Sequence, residues 1–447
     1  MPLIYNYNSF YFFCQALYLK NFKPFCLRIF INISYTKLVM NLEHKKNLNT
    51  LVDIFKSGIK KDKKGLLGVE IEHFLIDKDT LATIPYGGNI GVEKILTELA
   101  KFYNTKEFSQ GHLIALSRPH ILVSLEPAGQ LEVSIGEFLH ISDIKAQYDK
   151  FFNEIKPILD KHSLLLYTRG YHHVSKASDM PLLPKERYRL MDNHFKTSGT
   201  DGLYMMRGTA ATHVAIDYFS EKDFVDKFRL ANLLSPLFVY LTSSAYNFEG
   251  KKNTNQMLRH KIWSNVDNAR CLIAPNVNSF LDYAKYVYST PPIFLPDGDN
   301  AIGTGNKTFA EIITDGELTD DLAHHALSMV FPYVRLKSFI EIRTADSMFL
   351  TFTLGYLALI KGIFYNTNAI QELLTFLKGA TDSDIYAAFN SLEKHGYKAT
   401  VYGTNAIVFY EKLFGLAYDS IDSKPGDTLQ IDSLIELEKL IKNKVNI

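Results

Sequence analysis

Several short stretches of the chain alternate apolar and polar side chains, and in each the polar side carries an acid or a histidine. In "LLGVEIEHFLI" (66–76), Leu67, Val69 and Ile71 point one way and Glu70, Glu72 and Phe74 the other, the two-residue period of a strand. "HILVSLEPAGQLEVSI" (120–135) predicts two strands joined by a turn at Pro127-Ala128-Gly129. Its polar positions are Ser124 and Glu126 before the turn, Glu132 and Ser134 after it. "TAATHVAIDYF" (209–219) sets Val214, Ile216 and Tyr218 against His213 and Asp217, and "KSFIEIRTAD" (337–346) sets Ile340 and Ile342 against Glu341 and Arg343.

Between these stretches the apolar period lengthens to that of a helix. Helices are predicted over 48–58, over 91–103 with Val92, Ile95, Leu96, Leu99 and Tyr103 on one stripe, and after an N-cap at Ser142 with Ile144, Phe151, Phe152, Ile155 and Ile158 buried. Ser220 and Asp223 spell a capping box for a helix over 221–247 that Pro236 kinks or ends. "NTNQMLRHKIW" (253–263) reads as helix and places Arg259 and Trp263 on one side. The last hundred residues are mostly helical. "FLTFTLGYLALI" (349–360) is too short for a membrane span, which needs about 20 residues, and is expected to be a core helix.

Composition narrows the class. With 49 Lys and Arg against 48 Asp and Glu among 447 residues, no bulk attraction to nucleic acid or an anionic membrane is indicated. Cys14, Cys26 and Cys271 show neither zinc-ligand nor CxxC spacing, so a reducing cytoplasm is the expectation, with Cys271 a buried or half-buried thiol. Residues 1–39 hold four basic and no acidic residues and fit no clear targeting pattern. They are taken as a dispensable head or a mis-called start before Met40, and residues 40–447 as a single α+β catalytic domain with a helical C-terminal part.

The unusual feature is the polar face shared by the strands: Glu70, Glu72, Glu126, Glu132, His213 and Glu341, with Arg343 the basic residue among them. If the strands form one sheet, these carboxylates converge, and their repulsion calls for a hard divalent cation such as Mg²⁺, which also bridges to nucleotide phosphates. A histidine in the set suits Mn²⁺ better and does not exclude Mg²⁺. Each piece has a plainer alternative: the wet face of an edge strand, a core histidine, a Glu341–Arg343 ion pair, an exposed hairpin tip. "GTGNKT" (303–308) lacks the glycine before lysine that a phosphate loop requires, so ATP would be held by metal and arginines.

The blocks "GVEIEHFLID", "EPAGQLEVS", "PKERYRLM", "GLYMMRGTAATHVAIDY", "KFRLANLLSPL", "MLRHKIW" and "FPYVRLKSFIEIRTAD" resemble, in order and spacing, the glutamate–cysteine ligases of the plant-type branch also found in bacteria. The resemblance implies a curved antiparallel sheet forming a funnel, packed with helices and related to the glutamine synthetase catalytic domain. It implies ATP-dependent joining of glutamate to cysteine through a γ-glutamyl phosphate, the first step of glutathione synthesis. By the same resemblance Glu70, Glu72, Glu126, Glu132, His213 and Glu341 hold metal, and Glu132 and Arg343 are catalytic, with Arg343 acting on the phosphates. Arg259 and Trp263 grip the glutamate. Arg207 and Arg187 are further substrate-pocket candidates, with a structural ion pair the alternative for either. The sequence departs from the family at Ala128, in "RTADSMF" and in "PPIFL" (291–295), where plant enzymes carry a tyrosine. These departures leave open another amine acceptor, and a non-catalytic nucleotide-binding paralogue is a third reading.

Overall fold

Nine strands pair into one antiparallel sheet: β1 (Leu67–Asp77), β2 (Thr105–Ser109), β3 (His112–Arg118), β4 (Ile121–Leu125), β5 (Leu131–Phe138), β6 (Leu164–Tyr167), β7 (Ala211–Ile216), β8 (Val334–Leu336) and β9 (Ile340–Asp346). The order is β8–β9–β7–β1–β5–β4–β3–β2, with β6 beside the far half of β1. This computed structural model describes residues 44–298, 300–313, 316–422 and 428–445; the expected head, 1–39, lies outside them, as do Cys14 and Cys26. The sheet is open, with β8 and β2 at its two ends.

One face of the sheet is core. Val69 and Ile71 of β1, Val123 of β4, Val133 and Ile135 of β5, Val214 of β7 and Ile340 and Ile342 of β9 belong to one apolar cluster that runs from Leu51 to Ile441. Helices cover that face because they present the matching stripe. They include α1 (44–57), α2 (Val92–Leu99), α3 (Ile141–Lys161) and α6 (Glu221–Thr242). On the opposite side stand α4 (Glu186–Ser198), α5 (Gly202–Gly208) and α7 (Leu258–Trp263). The 349–360 stretch lies in a buried helix, α8 (Leu350–Phe364), as expected, and among the described residues no helix is long and apolar enough to cross a membrane. Its glycines serve close packing: a Cβ on Gly355 would stand 2.4 Å from Ser433 O, and one on Gly362 2.8 Å from Ala417 Cα.

Several boundaries differ from the sequence reading, each for a local reason. Helix α3 starts at Ile141 with His140 at the cap, so Ser142 is not the N-cap; Phe152 is 38 % exposed, and Tyr148 and Leu159 complete the buried stripe. Pro236 sits inside α6, which ends at Thr242 and does not reach 247. Ser220 accepts from Asp223 N as predicted, while the Asp223 carboxylate takes Phe219 N. The predicted helix at 253–263 shortens to 258–263, because the Asn253 and Asn255 side chains accept from the amides two residues on and fold the segment into turns. Phe74, on the polar side of β1 by alternation, is buried with Ile76 and Ala210 in a small second cluster.

Two buried histidines are held neutral. His73 is bonded to Leu131 O and Tyr148 Oη, and His172 to Thr83 Oγ1 and Arg207 O. Burial pushes each imidazole down to about 4. The unfolded chain takes up protons as pH falls through about 6.5 while the folded chain refuses them until about 4, so stability falls across that window. Each histidine contributes a slope of about 1.4 kcal/mol per pH unit. Urea unfolding between pH 6 and 5 should show this loss, and His172→Gln should reduce its slope by about that amount. An unchanged slope would contradict the assignment.

Candidate active site

Strand register assembles the acids. Pairing of β1 with β5 sets Glu72 opposite Glu132 and Glu70 opposite Ser134. Pairing of β1 with β7 sets Glu70 opposite His213, and that of β9 with β7 sets Glu341 opposite Ala215. Glu126 follows β4 at a turn closed by Glu126 N–Gln130 O and Gly129 N–Glu126 O, both 2.9 Å. Gly129 has φ 87°, which a side chain would strain; Ala128 is not in that region, so the departure from the family at 128 is tolerated. Gln130, not singled out from the sequence, ties this turn to the start of β7: its Nε2 donates to Met206 O and Thr209 O, and its Oε1 accepts from Ala128 N.

These residues line a cavity of about 520 Å³. Glu70, Glu72, Glu126, Glu132 and His213 stand on its sheet side, and Arg187, Arg259, Trp263 and Arg343 also face it. Donor atoms of Glu70, Glu132 and His213 lie within 4.8 Å of one another, and so do those of Glu72, Glu126 and Glu132. Glu341 is in neither group. Buried to 1 % exposure, it is bound by Arg335 (2.6 and 3.1 Å), Lys337 (3.2 Å) and Arg343 (3.1 Å). Glu341 faces a second cavity of about 190 Å³, which shares Glu70 and His213 with the first. Arg207 does not line either cavity. It binds Asp192 Oδ1 at 2.8 Å and Met180 O at 3.0 Å, so the structural ion pair is the alternative realised, and its place in the substrate pocket is withdrawn.

The electrostatics show where charge is missing. Burial, then Glu126, pushes the Glu72 carboxyl up to about 8, although it accepts Ala211 N at 2.7 Å. Burial and the neighbouring glutamates drive Glu132 well above the carboxylate range despite bonds from Ser124 and Ser134 Oγ. Glu126 is raised chiefly by burial as well. For Glu341 burial is outweighed by Arg335, Lys337 and Arg343, and its carboxyl stays well below that range. Glu70 also ends below its usual value, burial and Glu341 pushing up and His213 and Lys337 prevailing.

His213 is lowered to about 4 by burial and Arg343, so its ring is neutral. Its Nδ1 lies 2.9 Å from Glu70 Oε2. A carboxylate partner assigns the proton to Nδ1, leaving the lone pair on Nε2, which is buried without a hydrogen-bond partner. A neutral imidazole lone pair and unneutralised carboxylate oxygens make up the donor set of a hard or borderline divalent cation.

The family model for glutamate-cysteine ligase family 2 matches residues 66–406. The chain belongs to that family. Its relatives include the chloroplastic glutamate–cysteine ligase of Arabidopsis thaliana, 27% identical over 361 residues, with 78% of this chain and 68% of that one covered. Chloroplastic glutamate–cysteine ligase A of Oryza sativa subsp. japonica is 30% identical over 309 residues, covering 66% of this chain and 62% of the relative. Among solved structures, the glutamate–cysteine ligase of Francisella tularensis in complex with AMP aligns with a TM-score of 0.54 over 84% of this chain and 82% of that one. At 10% identity this likeness establishes the common fold of helices and open antiparallel sheet.

In "RTADSMF", Ser347 Oγ donates to the Glu72 backbone carbonyl at 2.5 Å, pinning the end of β9 to β1. The apolar stretch at 291–295 brings Phe294 to the cavity wall.

Glu132→Gln removes a carboxyl whose ionisation burial and its neighbours oppose. The metal-free variant should melt no lower than the parent, while its stabilisation by added Mg²⁺ or Mn²⁺ is largely lost, with affinity down on the order of tenfold or more. Thermal melting with and without the ion measures both. A variant that keeps the full ion-dependent shift would show that Glu132 is not a ligand.

Proposed function

We propose that the protein is an ATP-dependent ligase that joins the γ-carboxylate of glutamate to the amine of cysteine. The observation that carries this is the convergence of Glu70, Glu72, Glu126, Glu132 and His213 on one cavity wall, opposite Arg259 and beside Arg343. We take Glu70, Glu132 and His213, and Glu72, Glu126 and Glu132, as holding Mg²⁺, with Mn²⁺ the alternative; the free Nε2 of His213 supports this. Such ions supply charge neutralisation at the ATP phosphates.

A carboxylate is a poor acyl donor, so a γ-carboxylate oxygen first attacks the γ-phosphorus of ATP. A C–O–P linkage forms, the bridge to the β-phosphate breaks and ADP departs. Arg343, within reach of Glu341 and His213, offsets charge on the transferred group. Arg259 is buried, with Nη1 on the Arg343 and Thr344 carbonyls and Nε without a partner, and Trp263 lies with its ring 5.6 Å away. That cation is available for the glutamate α-carboxylate, so that only the γ-carboxylate reaches ATP. The cysteine amine then attacks the acyl carbon and phosphate leaves. Met191, Met205, Met206, Phe294 and Phe331 give the cavity a soft apolar wall suited to a thiol side chain.

The second cavity, lined by Gly68, Gly136 and Ala215 among others, would take a flat nucleobase, with the triphosphate running toward Glu70, which lines both cavities. The product is the first intermediate of glutathione synthesis. Three cysteines without CxxC or zinc-ligand spacing favour a cytoplasmic setting. Residues 40–447 act as one ligase domain.

Purified protein should release ADP from Mg·ATP only when glutamate and cysteine are both present, and Arg259→Ala should raise KM for glutamate on the order of tenfold to a hundredfold. A coupled ADP assay measures both. No ADP with both amino acids present would refute the activity, and an unchanged KM for glutamate would refute the role of Arg259.

A further inference from the structure

The helix that offers Arg259 and Trp263 to the cavity is too short to hold itself in place. α7 spans six residues, Leu258–Trp263, and a helix of that length persists only through tertiary packing. Arg259 anchors it weakly. Its Nη1 reaches Arg343 O at 3.2 Å and Thr344 O at 3.4 Å, the long end of the hydrogen-bond range.

The next residue, His260, does not line the cavity and is buried. Its ring lies flat on Phe389 of the helix Asp382–His395, with centroids 4.0 Å apart and planes 8° from parallel. Its Nδ1 is 2.8 Å from Tyr333 Oη. Burial, then Arg259, pushes this imidazole down to about 4, so it packs as a neutral ring and adds no charge beside Arg259. Asn255, just before α7, is tied to the same C-terminal helix by a 2.6 Å bond from its Nδ2 to Glu393.

Tyr333 carries the contact onward to the sheet. It directly precedes β8; its N donates to Leu272 O at 2.6 Å, and its carbonyl accepts Arg343 N at 2.8 Å. His260, Tyr333, Arg343 and Arg259 therefore close a ring of contacts that runs from α7 to β9 and back. Arg343 is also anchored independently, by the pairing of β9 with β7 and by Glu341. The end of the ring that moves when His260 lets go is Arg259.

We propose that His260 is a positioning residue: clamped between Phe389 and Tyr333, it sets where Arg259 holds the glutamate α-carboxylate relative to Arg343. The role rests on the ligase reading and adds to it a residue that touches no substrate.

The test uses the full chain and measures KM for glutamate and for ATP separately. Tyr333→Phe deletes one hydroxyl, and His260→Phe keeps a ring against Phe389 while losing the same bond. Each should raise KM for glutamate on the order of fivefold to thirtyfold, with KM for ATP held within about twofold. The double variant should be no worse than the poorer single one, because both changes remove one interaction. Melting curves establish that each variant folds. With an active wild-type enzyme, an unchanged KM for glutamate in both single variants overturns the assignment, as do losses that add in the double variant. Equal rises in both KM values also overturn it, since they mark general loosening of the fold. A wild-type protein that ligates no glutamate overturns the ligase reading, and this role with it.

Discussion

Two glutamates face each other across a ladder of the central sheet. Glu72 on β1 pairs in register with Glu132 on β5, and like charges directly opposite on a sheet oppose its formation. Much of the surrounding structure limits that repulsion: Ala211 N on Glu72, Ser124 and Ser134 hydroxyls on Glu132, and His213 on Glu70. None of these brings a full positive charge, since the histidine is neutral. The same wall therefore combines a rigid scaffold of donors with two groups of side chains that could hold a cation. The apolar face behind it supplies the rigidity, because slipping the register by one residue would turn Val69 and Ile71 out of the core.

The arrangement divides its charges. Glu341, the remaining acid of the expected set, is saturated by Arg335, Lys337 and Arg343 and sits apart from the two donor groups. Glu126 and Glu132 make no direct ion pair among the described residues, and Arg187 and Arg343 only partly offset the burial of Glu126. At one end of the polar face the acid is bound directly by cations, and in the middle the acids are held by hydroxyls and a backbone amide.

The strands and their two faces were legible because period-two alternation is written residue by residue, and so was the family, because the blocks keep their order. The sheet order was not legible: nothing local says that β7, some eighty residues beyond β5, lies on the other side of β1 from it. Arg207 misled for the same reason, since only the folded chain shows Asp192 beside it. Arg335 and Lys337 could have been read as partners of Glu341 from the tight hairpin between β8 and β9. Gln130 gave no periodic signal, because it acts through backbone carbonyls that no pattern encodes.

Glu70 and His213 form a party wall, belonging to both cavities at once. Whatever lodges on one side alters the potential felt on the other, and thermodynamic linkage makes the influence equal in both directions. A charged occupant of one chamber would therefore change the affinity of the other through this shared pair.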